Sequence, residues 1–172
     1  MIPARQIDTD ADHVRMAERV ARAYGLDAGF REALRALRVL LHIDRGHWVH
    51  AFVAGAEAAL AEGPFDPLTR SHLIRLMEAH AAIVAAGRFG AEHVASAERI
   101  AAFFADRPIS PLGLAGAWGR VQQHLIRLIL TSDRMDDRLL RRDAYSSLST
   151  WMLIETALLA AFLARQRPQG AS

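Results

Sequence analysis

The chain has 172 residues and a mass of 19.0 kDa, with 52% hydrophobic and 23% charged residues. That composition excludes general disorder, and its length suits one domain able to bury its own core. With no cysteine, disulfides, thiolate metal centres and cysteine nucleophiles are excluded. Twenty-one basic residues against 19 acidic ones leave a net charge of only +2. All the basic residues are arginine, so the pI of 9.9 reflects guanidinium chemistry more than an excess of charge.

The start of the chain lacks the basic and apolar regions of a signal peptide. The longest apolar stretch, Trp151 to Ala164, is interrupted by Glu155 and Thr156. A cytoplasmic protein with no membrane span is expected. Alanine, about a fifth of the residues, is the strongest helix former, and no segment reads as a strand.

The predicted helices follow one another with short breaks. Asp8, Thr9 and Asp10 are candidate caps for a first helix over 11–24, closed by Gly25. A second begins near Asp27 and carries Phe30, Leu34, Leu37, Leu40 and Leu41 on one face, as spacings of three and four require. Asp44, Arg45 and Gly46 interrupt it. A third, over 47–61, places Trp48, Phe52, Ala56 and Leu60 on one stripe. Gly63, Pro64 and Pro67 mark a loop. Thr69 or Ser71 then caps a fourth helix, with Leu73, Leu76, His80 and Val84 on its apolar face as far as Gly87. A fifth spans 91–105, and Pro108 and Pro111 force a break. A long sixth covers 112–130. Thr131, Ser132 and Asp133 cap a seventh that runs to Arg165. The expectation is an all-α domain over 1–166 with a frayed tail over 167–172.

Chemistry is harder to find. There is no phosphate-binding glycine loop, no Gly-x-Ser-x-Gly and no His-Glu-x-x-His. No nucleophile, base and orienting group stand out, so an enzyme is not expected. Asp133, Asp136 and Asp137 lack the glycine and glutamate of a calcium loop and read as helix caps. Arg134, Arg138, Arg141 and Arg142 form a basic segment, but Asp136, Asp137 and Asp143 interleave with it, so nucleic acid is not an expected partner. Of eight histidines, His47 and His50 share a helical face, yet no further ligand stands at a metal-binding spacing. His80, on an apolar stripe, reads as a packed core histidine. His13, His72, His93 and His124 carry no local signal. No metal ligand is therefore assigned.

The middle of the chain resembles the sensor globin (protoglobin-like) of bacterial globin-coupled sensors. Gly87-Arg88-Phe89 precedes Arg99-Ile100-Ala101, like the family's approach to its haem-ligating histidine. Pro111, Gly116, Ala117 and Trp118 match the opening of its G helix with no gap. Phe52 and Val53 stand where its B helix carries a Phe-Tyr pair, and His80 where the E helix often has a histidine. The resemblance covers about residues 20–165 and implies a globin-like fold ending in a long helix pair.

The departures bear on chemistry. Phe104 falls at the iron ligand's position, or Ile109 in a shifted register, and Val53 at the oxygen-binding tyrosine's. None of these can ligate iron or hydrogen-bond a gas. The resemblance therefore implies a haem-free, dimeric signalling input module. Its former haem site would be lined by Phe52, Val53, Leu76, His80, Val84, Ile100, Phe103 and Phe104. Gly116, Ala117, Trp118, Trp151 and Phe162 would form the dimer interface on the last two helices. Two alternatives stand beside it: a pocket of a few hundred Å³ for a fatty-acid-like molecule, and a haem sensor ligated by His80 or His93.

Overall fold

The structure, a computed structural model, describes residues 4–60, 63–105, 107 and 109–166. The expected tail over 167–172 and the break at Pro108 lie outside the described residues. Within them the chain is all-α: α1 (Ala4–Tyr24), α2 (Ala28–Ile43), α3 (Arg45–Ala58), α4 (Pro67–Ala85), α5 (Ala91–Phe103), α6 (Pro111–Thr131), a 3₁₀ turn (Asp133–Met135) and α7 (Arg138–Gln166).

The helix ends follow local chemistry. Asp27 caps α2 by accepting from Phe30 N, and Ser110 caps α6 by accepting from Gly113 N, with Pro111 in its first turn. Asp137 accepts from Leu139 N at 2.6 Å and Leu140 N at 3.2 Å, so an aspartate of that acidic run does act as a cap. Three starts differ from expectation. The α7 helix begins at Arg138, because Ser132 caps the 3₁₀ turn over Asp133–Met135 and not α7 itself. The α1 helix begins at Ala4, which puts Asp8 to Asp10 inside it and not at its cap. The α4 helix is capped by Asp66, ahead of Pro67, not by Thr69 or Ser71. An extended aspartate followed by proline satisfies both demands of a helix start. Gly25 and Gly87, at φ of +62° and +70°, turn the chain out of α1 and α4 in the left-handed region that suits glycine.

Helix α3 buries residues around much of its circumference, including Trp48, Val49, Phe52, Val53 and Ala56. Such a helix belongs in the interior, and its most extensive partner is α6. The two cross closely because small residues meet. A Cβ on Gly55 would lie 2.6 Å from Ala117 Cα, and one on Gly113 would lie 2.8 Å from Ala59 Cβ. Helix α7 packs across α2, α5 and α6. Its stretch Arg138–Arg165 is long and apolar enough to cross a membrane by length and composition, a match the sequence reading did not anticipate. Its most apolar window is 56% buried inside the fold, as in a core helix.

Side chains tie the helices together at several points. Arg38 Nε donates to Ala85 O at 2.8 Å, joining α2 to the end of α4. Arg70 of α4 pairs with Glu57 of α3 at 3.1 Å. His13 of α1 meets Glu98 of α5 at 2.6 Å.

Candidate functional site

The apolar residues expected to line a haem-derived pocket all belong to the hydrophobic core or pack against it. Phe52, Val53, Val84, Ile100, Phe103 and Phe104 are buried, and Leu76 is half-buried. The aromatic members pack on one another or on neighbouring rings. Phe52 lies 4.8 Å from Trp118 between ring centroids, Phe103 lies 5.0 Å from Phe104, and Phe65 lies 5.6 Å from Phe103. Elsewhere, a small apolar cleft of about 70 Å³ opens between α6 and α7, beside Leu114, Trp118, Leu159 and Leu163.

The residues expected at a dimer interface need correction. Ala117, Trp118, Trp151 and Phe162 are buried inside a single chain. Ala117 faces the close crossing with α3, and Trp151 stands edge-on to both Trp48 and Trp118, at 5.5 and 5.8 Å. These side chains have no surface to offer a second copy, because the faces that carry them are those α6 and α7 use to close the core. Of that set, Gly116 alone is exposed.

The most polar feature of the core is a group that the sequence did not connect. Glu155, wholly buried on α7, meets His80 of α4 and His93 of α5. A carboxylate can only accept, so each imidazole donates through Nε2 to Oε1, at 3.0 Å from His80 and 2.6 Å from His93. Trp151, one helical turn before Glu155, donates Nε1–H to the same oxygen at 2.6 Å. The two imidazole centroids are 5.1 Å apart. Glu155 Oε2 and His80 Nδ1 are buried without a partner.

Burial alone would raise the Glu155 carboxyl, but the charges and hydrogen bonds of His80 and His93 outweigh it and hold the group well below the usual carboxylate range. It is an anion at the centre of the fold. His80 was legible as a core histidine, and Glu155 as an interruption in an apolar run. His93 was not legible, because its partner lies 62 residues away.

Other histidines follow the same habit in wetter surroundings. Asp44, between α2 and α3, accepts from His47 Nδ1 at 2.8 Å and pairs with His124 of α6. His47 thus lies against Asp44 and, at 6.2 Å between ring centroids, His124. The basic segment at the start of α7 pairs internally, Arg142 with Asp143 at 3.0 Å and Arg141 with Asp136 at 3.7 Å.

Against known proteins, no family model, no curated protein and no solved structure matches this chain.

Proposed function

We propose that the chain is a haem-free, globin-like regulatory domain, an input module that acts by changing how its last two helices pack. The observation that carries this reading is Phe104, at the position the sensor-globin resemblance gives to the iron ligand. It is 1% exposed and packed against Phe103. A phenyl ring has no lone pair for iron. His80 and His93, the alternative ligands, are drawn onto one buried carboxylate, with Trp118 and Phe89 packed beside their rings where a porphyrin would have to lie. These residues do not fit an axially ligated porphyrin, so haem has no part in the proposal.

The regulatory logic follows from connectivity. Glu155 ties α7 to α4 and α5 at one point, so a partner that moves α4 or α5 pulls directly on α7. Surface open to a second copy lies on α6, where Leu112 and Leu130 are exposed, and on the outer side of α7, where Leu139 and Leu153, two heptads apart, are each 60% exposed. Apolar side chains at that spacing suit a helix-to-helix contact.

The chain purified without added cofactor is expected to be colourless and dimeric by absorption and native mass spectrometry. A Soret band with one haem per chain overturns the reading, and a colourless monomer removes the dimer from it. A co-purifying fatty acid favours the ligand-pocket alternative, for which the cleft of about 70 Å³ between α6 and α7 would have to widen to the few hundred Å³ that such a ligand fills. Phe104→His should leave the protein colourless when haem is supplied, since the neighbouring space is filled by Phe103 and Phe65. Stable haem uptake by that variant would show that only the ligand was missing.

A further inference from the structure

The buried cluster distributes its hydrogen bonds unevenly. Three donors crowd onto Glu155 Oε1, while Oε2, equally sealed from solvent, has none. An ionised carboxylate has about four lone-pair sites over its two oxygens, and a buried acceptor left empty is costly. One nitrogen from each histidine and one carboxylate oxygen lie within 4.8 Å of one another, contributed by three different helices. We propose that His80, His93 and Glu155 form a closed site for one divalent transition-metal ion of the Zn²⁺ class. Glu155 supplies its second oxygen as the fourth donor. The inference does not depend on the regulatory reading above.

The donor set selects the ion. Two imidazoles with one carboxylate suit zinc and its first-row neighbours, whereas calcium and magnesium call for oxygen ligands throughout. The dimensions are also close. Metal–nitrogen and metal–oxygen bonds of about 2.0–2.2 Å place ligands from separate residues roughly 3.3 Å apart, while the narrower bite of the two Glu155 oxygens distorts the tetrahedron. The present separations of 3.0 and 2.6 Å need to open by less than about 1 Å to reach that spacing. Trp151 supplies the outer hydrogen bond that orients a metal-binding carboxylate.

No catalytic role follows. All three ligands are buried, and the carboxylate fills the position that a hydrolytic site leaves open to water. The ion pins α4, α5 and α7 together. Binding involves no redox change: the ion takes the place of the two Nε2 protons now shared with Glu155 Oε1, and each imidazole binds through the lone pair that its displaced proton leaves on Nε2, the protons passing to Nδ1 or to solvent.

The test uses the full chain, unfolded with chelator and refolded with Co²⁺ as the probe. The expected result is one cobalt per chain after desalting, with the visible ligand-field bands of a tetrahedral ion. Zn²⁺ should bleach those bands, and the thermal midpoint should rise above that of the metal-free protein. Glu155→Gln and His93→Gln, which nearly preserve volume, should lose the colour while keeping helical circular dichroism. If either variant fails to refold, the bands and midpoint shift of the parent decide the matter. A parent chain that refolds colourless and metal-free overturns the site, and so do folded variants that retain as much cobalt as the parent. Neither outcome touches the haem spectrum or the dimer measurement that tests the regulatory reading.

Discussion

Truncating Glu155 to alanine is expected to cost about 3–5 kcal/mol of folding stability, measured by urea denaturation in chelator. The carboxylate is the common acceptor for His80, His93 and Trp151, and its removal strands three buried donors at once. A cost below about 1 kcal/mol would contradict the buried anion that this core contains. Replacing the group as a whole should behave differently. In the combination His80→Leu, His93→Leu, Trp151→Phe and Glu155→Met, no polar group is left without its partner. Such a core is expected within about 2 kcal/mol of the parent, because a buried charge cluster offsets much of its attraction with desolvation.

The same carboxylate sets a pH dependence. Its folded-state titration lies below the ordinary glutamate value of 4.5. The unfolded chain therefore binds the proton more readily. The stabilisation is fully present above that value and drains away as the pH falls below it. Glu155→Gln should flatten this acid limb of the stability curve, whatever it does to stability at neutral pH.

The second large effect is expected at the crossing of α3 and α6. Gly55→Ala puts a methyl 2.6 Å from the Ala117 backbone, and backbone cannot swing aside as a flexible side chain can. The loss should be about 1–3 kcal/mol, as for other overpacked cores, and larger for Gly55→Val. Gly116→Ala in α6 is the control. Nothing lies within 4 Å of its added methyl, so helix propensity alone applies and the change should stabilise by up to about 1 kcal/mol. Two identical substitutions on paired helices would then move the urea midpoint in opposite directions. If both shift it the same way, the helices do not cross as described.

How much of this was legible follows from the range over which each signal acts. The apolar periodicity of α2, and the proline and glycine breaks that bound α5 and α6, lie within a turn or two of chain and located those helices to within a few residues, whereas α7 starts at Arg138, past the caps expected at Thr131 to Asp133. The capping role of the acidic run before α7 was equally local. The start of α4 was misjudged although Asp66 and Pro67 are adjacent, because hydroxyl residues just downstream offered competing caps. The aromatic residues show the limit more plainly. Trp118 and Trp151 were recognisable as packing anchors, but nothing in their neighbours says whether the surface they anchor belongs to another copy or to the same chain. That is decided by Gly55 meeting Ala117, two small residues 62 positions apart.

The candidate site divides in the same way. An apolar stripe containing His80 and an apolar run broken by Glu155 are each visible as local anomalies. Their pairing is not, since 75 residues separate them, and His93 lacks even an anomaly. Isolated polar residues in apolar segments are the legible half of a buried network. The other half is topology.

The long sequence separations within the cluster also bear on the order in which the molecule forms. Helices α4 and α5 are neighbours along the chain, but Glu155 reaches them only when α7 closes a loop of more than 60 residues. Until then the carboxylate remains hydrated, and burying it early is unfavourable. The energy of the cluster is therefore expected to be realised after the main barrier to folding, so that Glu155→Gln speeds unfolding more than it slows refolding in a denaturant chevron. His80, His93 and Glu155 then act as a latch on an assembled fold, contributing little to its nucleation and much to its lifetime.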